Sequence, residues 1–247
     1  MRNILLLLIC STSIFISCNS SKPDPRSIMV ETMKAHGTDL AANGQLHFTF
    51  RGIDYSVKRQ NGNFNFERYL MIGEDAVLDR LNNSGFYRYK NDINIALPDS
   101  LSQRYKASLN SVIYFAQLPY SLDGDAINLK YIGEDRIKGK SYHEIEVTFN
   151  EIGGGEDHED VFVYWINQED HFIDYLAYSY CEEECGYRFR ESVNRRNNNG
   201  VIVQDYNNYK TAKLDSELFN IDDLFNENKL ELLSKIELER VSFKVNK

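Results

Sequence analysis

From Gln45 onward the apolar residues fall on every second position: Leu46, Phe48 and Phe50, then Ile53, Tyr55 and Val57, then Phe64 and Phe66. A period of two puts alternate side chains on one face of an extended segment, and the breaks at Arg51-Gly52, Asn61-Gly62, Gly73 and Ser84-Gly85 supply turn residues. The chain is thereby held to an antiparallel meander of short strands. One interruption stands out. Over 98–122, Tyr105, Leu109, Val112, Ile113 and Ala116 share a helical stripe that Pro119 is placed to end.

Strands are then expected over 128–136, 141–149, 160–167, 171–180, 186–194, 200–210 and 235–245, with short helical turns over 221–235. Ahead of the meander, Ile28, Met29 and Met33 lie at helical spacing over 26–36, with Gly37 as a stop. The fold class expected is mainly β with helices (α+β). It is a single curved antiparallel sheet, an unclosed half-barrel of about a dozen strands wrapped around the mid-chain helix. No repeat or linker divides 26–247, which is read as one domain. One strand breaks the alternation: Val161, Val163 and Trp165 point one way, and Phe162, Tyr164 and Ile166 the other. Strands apolar on both faces are covered on both faces, here by the helical insertion or by a bound apolar ligand.

Residues 1–17 have the layout of a secretory signal peptide, with Arg2 ahead of Ile4–Ile9 and Ile14–Ile16, too short and interrupted to span a bilayer. Phe15, Ile16, Ser17 and Cys18 resemble the lipobox of bacterial lipoproteins. That resemblance implies cleavage before Cys18, acylation of its sulfur, a lipidated tether over 18–25 and a membrane partner. Several acyl chains on one residue suffice for stable anchoring. Asn19 is not the aspartate that favours inner-membrane retention, so the implied address is the outer membrane. The alternative is an ordinary signal peptide with a chance cysteine.

The formal net charge of −9 argues against nucleic acid, whose affinity comes mainly from phosphate neutralisation. Arg188, Arg190, Arg195 and Arg196 are the one basic concentration, and with Glu191 among them they read as a solvated strand face.

The segments 36-HG-37, 111-SVIYFAQLPYSL-122, 137-IKGKSYHEIEVTF-149, 153-GGGEDHEDVFVYWIN-167, 174-DYLAYSY-180 and 188-RFRE-191 resemble a family of uncharacterised envelope lipoproteins typical of Bacteroidetes. The order helix, meander, helical insertion, meander also resembles the lipoprotein-carrier fold of LolA and LolB. There an unclosed barrel wraps around helices that cover an apolar cavity accepting acyl chains. The resemblance implies a lipid-handling role, and fold alone does not give function.

Residues 153–160 gather three glycines, four carboxylates and a histidine. A phosphate loop needs backbone N–H groups with Lys or Ser/Thr, whereas these glycines lead into Glu156, Asp157, Glu159 and Asp160. Glu156, His158 and Asp160 share one side of an extended segment, yet no zinc or calcium spacing is present, and no metal or cofactor is expected. No G-x-S-x-G elbow supports a nucleophilic serine. Once Cys10 leaves with the signal peptide and Cys18 carries lipid, Cys181 and Cys185 remain; a disulfide between them is the first reading in an oxidising envelope and thiolate metal binding the alternative.

The reading favoured by these residues is a non-catalytic envelope protein that binds a lipid or lipoprotein through Phe48, Phe66, Tyr114, Phe115, Phe162 and Tyr164. The alternatives are a hydrolase or metal-dependent enzyme centred on 156–160, and a surface scaffold with a filled core. The sequence leaves the oligomeric state open.

Overall fold

Turn chemistry fixes the first half of the molecule. Arg51-Gly52 and Asn61-Gly62 each hold two successive positive φ angles (51° and 75°, 51° and 78°), the backbone of two-residue hairpins whose twist matches that of the strands. The computed structural model describes residues 22–152, 160–181, 185–211 and 218–246. Two helices lead: α1 (Pro25–His36) and α2 (Thr38–Ala41). Six strands follow: β1 (Gly44–Phe50), β2 (Ile53–Gln60), β3 (Asn63–Ile72), β4 (Asp75–Asn82), β5 (Gly85–Lys90) and β6 (Ile93–Ile95). After α3 (Asp99–Ala116) come β7 (Ile127–Ile137), β8 (Lys140–Phe149), β9 (Phe162–Asn167), β10 (Ile173–Cys181), β11 (Cys185–Asn198) and β12 (Val201–Lys210). The chain closes with α4 (Ile221–Asn226), β13 (Glu231–Ile236) and β14 (Glu239–Val245).

The mainly β, antiparallel and unclosed architecture with one mid-chain helix is as the pattern predicts. The strands divide between two seven-stranded sheets, in the orders β14-β1-β2-β3-β4-β5-β6 and β13-β12-β11-β10-β9-β8-β7. Two breaks make two sheets of the expected single one. At one end α3 separates β6 from β7. At the other, the expected strand over 235–245 breaks at Glu237-Leu238, where the chain leaves the edge of the second sheet and joins the edge of the first. Asp205 pins that corner by accepting from the Leu238 backbone N–H (2.9 Å) and from both Arg196 terminal nitrogens (2.8 and 2.7 Å).

Residues 231–235, expected as helical turns, are strand because they complete a ladder with β12. Here tertiary pairing overrides a weak local preference.

Asp24 caps α1 by accepting from the Arg26 and Ser27 backbone N–H groups, and Gly37 ends the helix in the left-handed region (φ 72°). Gly37 also lies so close to the β11–β12 turn that a Cβ there would sit 1.9 Å from the Gly200 carbonyl oxygen. Glycine is required there on both counts.

The strand apolar on both faces is β9, all six residues of which are buried. Phe162, Tyr164 and Ile166 face a core shared with Ile28 and Met29 of α1 and Tyr114 and Phe115 of α3. Val163 and Trp165 face a second core that Leu218, Ile221 and Phe225 close from the C-terminal segment. The chain itself therefore covers both faces.

Candidate functional site

The trough between the two sheets holds α3, and the helix stripe explains why. Leu109, Ile113 and Ala116 are buried there, packed with Leu46, Phe48, Tyr55, Val57 and Phe66 of the first sheet. Towards its N-terminal end the helix is tied down by polar groups. Asp79, fully buried, accepts from Arg68 Nε (2.6 Å) and from Arg88 Nε and Nη2 (2.5 and 2.7 Å). Arg68 then donates to Ser108 Oγ on the helix (2.9 Å), and the Arg88 guanidinium lies 3.5 Å over the Tyr105 ring.

The C-terminal end of α3 meets the second sheet through aromatic rings. Tyr114 and Tyr164 share a 2.7 Å bond between hydroxyls, and Phe115 sits 5.5 Å from Tyr178 and 6.4 Å from Phe162. Beyond the helix, Arg59 bonds to Gln117 and stacks 4.0 Å over Tyr120. Burial depresses the Arg59 guanidinium to about 10.

Two cavities flank this end of α3. One, of about 200 Å³, lies where the sheets meet and is lined by Val112, Phe115, Tyr206, Ile236 and Leu238 together with Arg190 and Asn208. The other, of about 500 Å³, lies towards the β2–β3 hairpin and is lined by Phe64, Phe66, Ile113, Tyr114, Gln117 and Tyr120 among others.

The six residues expected to bind an apolar ligand are thus distributed. Tyr114, Phe115, Phe162 and Tyr164 share one core, while Phe48 and Phe66 belong to the adjoining one. Phe66 and Tyr114 line the larger cavity and Phe115 the smaller; Phe48, Phe162 and Tyr164 line neither.

A sequence model described as a family of unknown function (DUF6503) matches residues 2–238. The chain belongs to DUF6503. No curated protein matches it. Among solved structures, this DUF6503 chain is similar to a LolA superfamily protein of Nitrosomonas europaea, at 12% identity, over 90% of this chain and 92% of that one, with a TM-score of 0.47. It is also similar to a DUF1329 family protein of Desulfovibrio piger, at 10% identity, over 91% and 95% of the two chains, with a TM-score of 0.45. Lipoprotein LppX of Mycobacterium tuberculosis shares 14% identity over 63% of this chain and 88% of its own, with a TM-score of 0.28.

Cys18 and residues 156–159 of the acidic loop lie outside the described residues. Cys181 is the Cα partner of Cys185 across the β10–β11 ladder, and Cys185 is disulfide-bonded. Among the described residues no helix is long and apolar enough to cross a membrane, and no three His, Cys, Asp or Glu side chains are grouped to hold a metal ion.

The arginine group corrects the expectation of a solvated face. Arg190 is 7% exposed, Arg195 pairs with Asp174 at 2.5 Å, and Arg196 pairs with Asp205. Of the four, only Arg190 is enclosed, against Phe115 of α3, while Arg188, Arg195 and Arg196 stay partly exposed.

A carboxyl group without a sequence signal also emerges. Asp222 on α4 is buried, and burial followed by the Asp135 carboxyl pushes its pKa up to about 8. Neighbouring Glu144 is pushed up to about 7, first by burial and then by Asp135. A protonated carboxyl can act as a general acid, but this pair lines neither cavity.

Proposed function

We propose that this DUF6503 chain is a lipid-anchored protein of the cell envelope, acylated at Cys18 and held at the outer membrane. It binds an acyl-chain-bearing ligand, a lipid or a lipoprotein, in the trough around α3. The observation that carries this reading is the helix itself: an amphipathic element laid in an apolar trough, with a cavity on either side of its C-terminal end. The smaller cavity, about 200 Å³, is below the roughly 300 Å³ at which small-molecule sites begin. The larger, about 500 Å³, exceeds that size, so it is in the smaller cavity that a full acyl chain is accommodated by displacing α3, as a cover moves over a cleft.

Phe66, Tyr114 and Phe115 are the first contacts in this reading. Phe48, Phe162 and Tyr164 become accessible once the helix lifts. Cys181 is proposed as the disulfide partner of Cys185, closing the β10–β11 hairpin.

The test is to isolate the full chain from the envelope of its own host in mild detergent and to record its native mass spectrum. A bound species of lipid mass that survives detergent exchange is expected, together with N-terminal acylation that Cys18→Ser abolishes. A spectrum of the acylated chain with no adduct, from protein that also takes up no added lipid, would overturn the binding role.

A further inference from the structure

One row of side chains on the trough face of the second sheet changes character part-way across. Its successive Cα partners are Ile145, Tyr164, Leu176, Arg190, Asn208 and Ser234. The first three are packed core, and the last three are polar and line the 200 Å³ cavity.

Arg190 is nine-tenths buried, yet only one of its nitrogens is engaged: Nη2 donates to the Tyr178 hydroxyl at 2.8 Å. Nε and Nη1 are buried without an acceptor, and among the described residues no carboxylate pairs with the guanidinium. Its plane is held by Phe115, 3.7 Å below. Directly across the ladder, Asn208 donates from Nδ2 to Ser234 Oγ (3.2 Å), and its Oδ1 is buried without a donor. Exchanging the amide oxygen and nitrogen lets the Ser234 hydroxyl donate to Oδ1 and turns the NH₂ group towards the cavity.

The two other arginines that are buried outright carry a carboxylate, and so does the half-buried Arg196, whereas Arg59 resembles Arg190 in meeting uncharged groups, bonding to the Gln117 amide and stacking on Tyr120. Arg68 and Arg88 share Asp79, and Arg196 has Asp205. A buried cation without a counter-charge is costly. The ring faces of Phe115, Tyr178 and Tyr206, at 3.7, 5.1 and 6.0 Å, offset part of that cost, and water in the cavity can accept from the free N–H groups, but neither supplies a negative charge. The geometry points to an anionic headgroup: Arg190, with Asn208 beside it, is the headgroup subsite for an amphiphile whose oxyanion accepts from the guanidinium. Its chain then runs along Val112, Phe115, Ile236 and Leu238. This rests on the reading that the trough takes an acyl chain, and narrows the ligand to fatty acids or phosphate-headed lipids.

The experiment uses the delipidated full chain and three probes with one common tail, hexadecanoate, hexadecyl phosphate and hexadecanol, titrated against a displaceable fluorescent lipid. At least one anion is expected to bind roughly ten- to a hundredfold tighter than the alcohol, the worth of a charge-assisted hydrogen bond. Whichever anion binds tighter tells a fatty-acid from a phospholipid source. Arg190→Met, which keeps the volume, is expected to erase the preference while binding hexadecanol as before. Equal affinity of the wild type for all three probes overturns the headgroup site and leaves the acyl-chain reading standing. Retention of the preference in Arg190→Met overturns the assignment to Arg190. Binding of no probe overturns both readings. Should Arg190→Met fail to fold, the wild-type comparison decides alone.

Discussion

Tyr114 on α3 and Tyr164 on β9 are joined hydroxyl to hydroxyl at 2.7 Å, with Tyr164 fully buried. Burial together with the Tyr114 hydroxyl raises the Tyr164 pKa well above the ordinary phenol value, so the pair stays neutral and hydrogen-bonded at working pH. Tyr164→Phe removes this tie without changing the packed ring. The expected cost is about 1 kcal/mol, with amide exchange rising selectively over 105–116. Exchange that rises equally across both sheets would show that the bond does not hold the helix in particular.

Asp79 compensates two buried guanidinium groups under α3. Asp79→Asn leaves both charges unpaired and should lower stability by about 3–5 kcal/mol, read as a shift in the denaturant midpoint. The triple change Asp79→Leu, Arg68→Met and Arg88→Met should recover most of that loss, because no charge then remains to be compensated. A triple variant as unstable as the single one would mean that packing, rather than charge, sets the cost.

Asp222 makes stability fall with rising pH. Its folded pKa of about 8 lies above the ordinary 3.8, so the folded state keeps a proton that the unfolded state releases. Stabilisation is complete below the lower value and is lost as pH climbs through the upper one. Asp222→Asn should exceed the wild type by several kcal/mol at alkaline pH, at roughly 1.4 kcal/mol per pH unit between the two values, the gap closing under acid conditions. Melting temperatures of the two proteins across this range check it; parallel profiles would refute it.

His36 works in the opposite direction. Its Nε2 accepts from the Ile173 N–H at 3.2 Å, and burial, with Arg195 nearby, lowers its pKa from 6.5 to about 3. The unfolded state takes up a proton that the folded state refuses, so stability is intact above the upper value and is lost on acidification towards the lower. The slope expected is roughly 1.4 kcal/mol per pH unit within that window. His36→Gln, which keeps an acceptor and cannot charge, should flatten that limb in chemical denaturation at several pH values.

Much of the architecture was legible because it is written in local terms. The alternation at Leu46, Phe48 and Phe50, the hairpin pairs Arg51-Gly52 and Asn61-Gly62, the stripe of α3 and the stop at Gly37 each depend on residues a few positions apart. The candidate site was less legible. Aromatic content pointed to the trough, and the structure brings Tyr114, Phe115, Phe162 and Tyr164 together, yet three of the six expected residues line neither of the two cavities beside α3. Arg190 was visible only as one of a basic cluster read as solvated, with Arg188 and Glu191 close by in sequence, while its neighbours in space are Leu176, Phe115 and Asn208.

The sequence by itself determined that 161–166 must be covered on both faces, because an apolar run of period-two side chains exposes one face to water unless something lies on each. Only the tertiary structure decided what those covers are: α1 and α3 on one side and the segment around Ile221 and Phe225 on the other. It also decided that the meander splits into two sheets at Leu238 and that Arg190 is enclosed at that corner. Side-chain periodicity is a property of one strand, whereas the partner of a face and the burial of a charge depend on contacts between segments far apart in the chain.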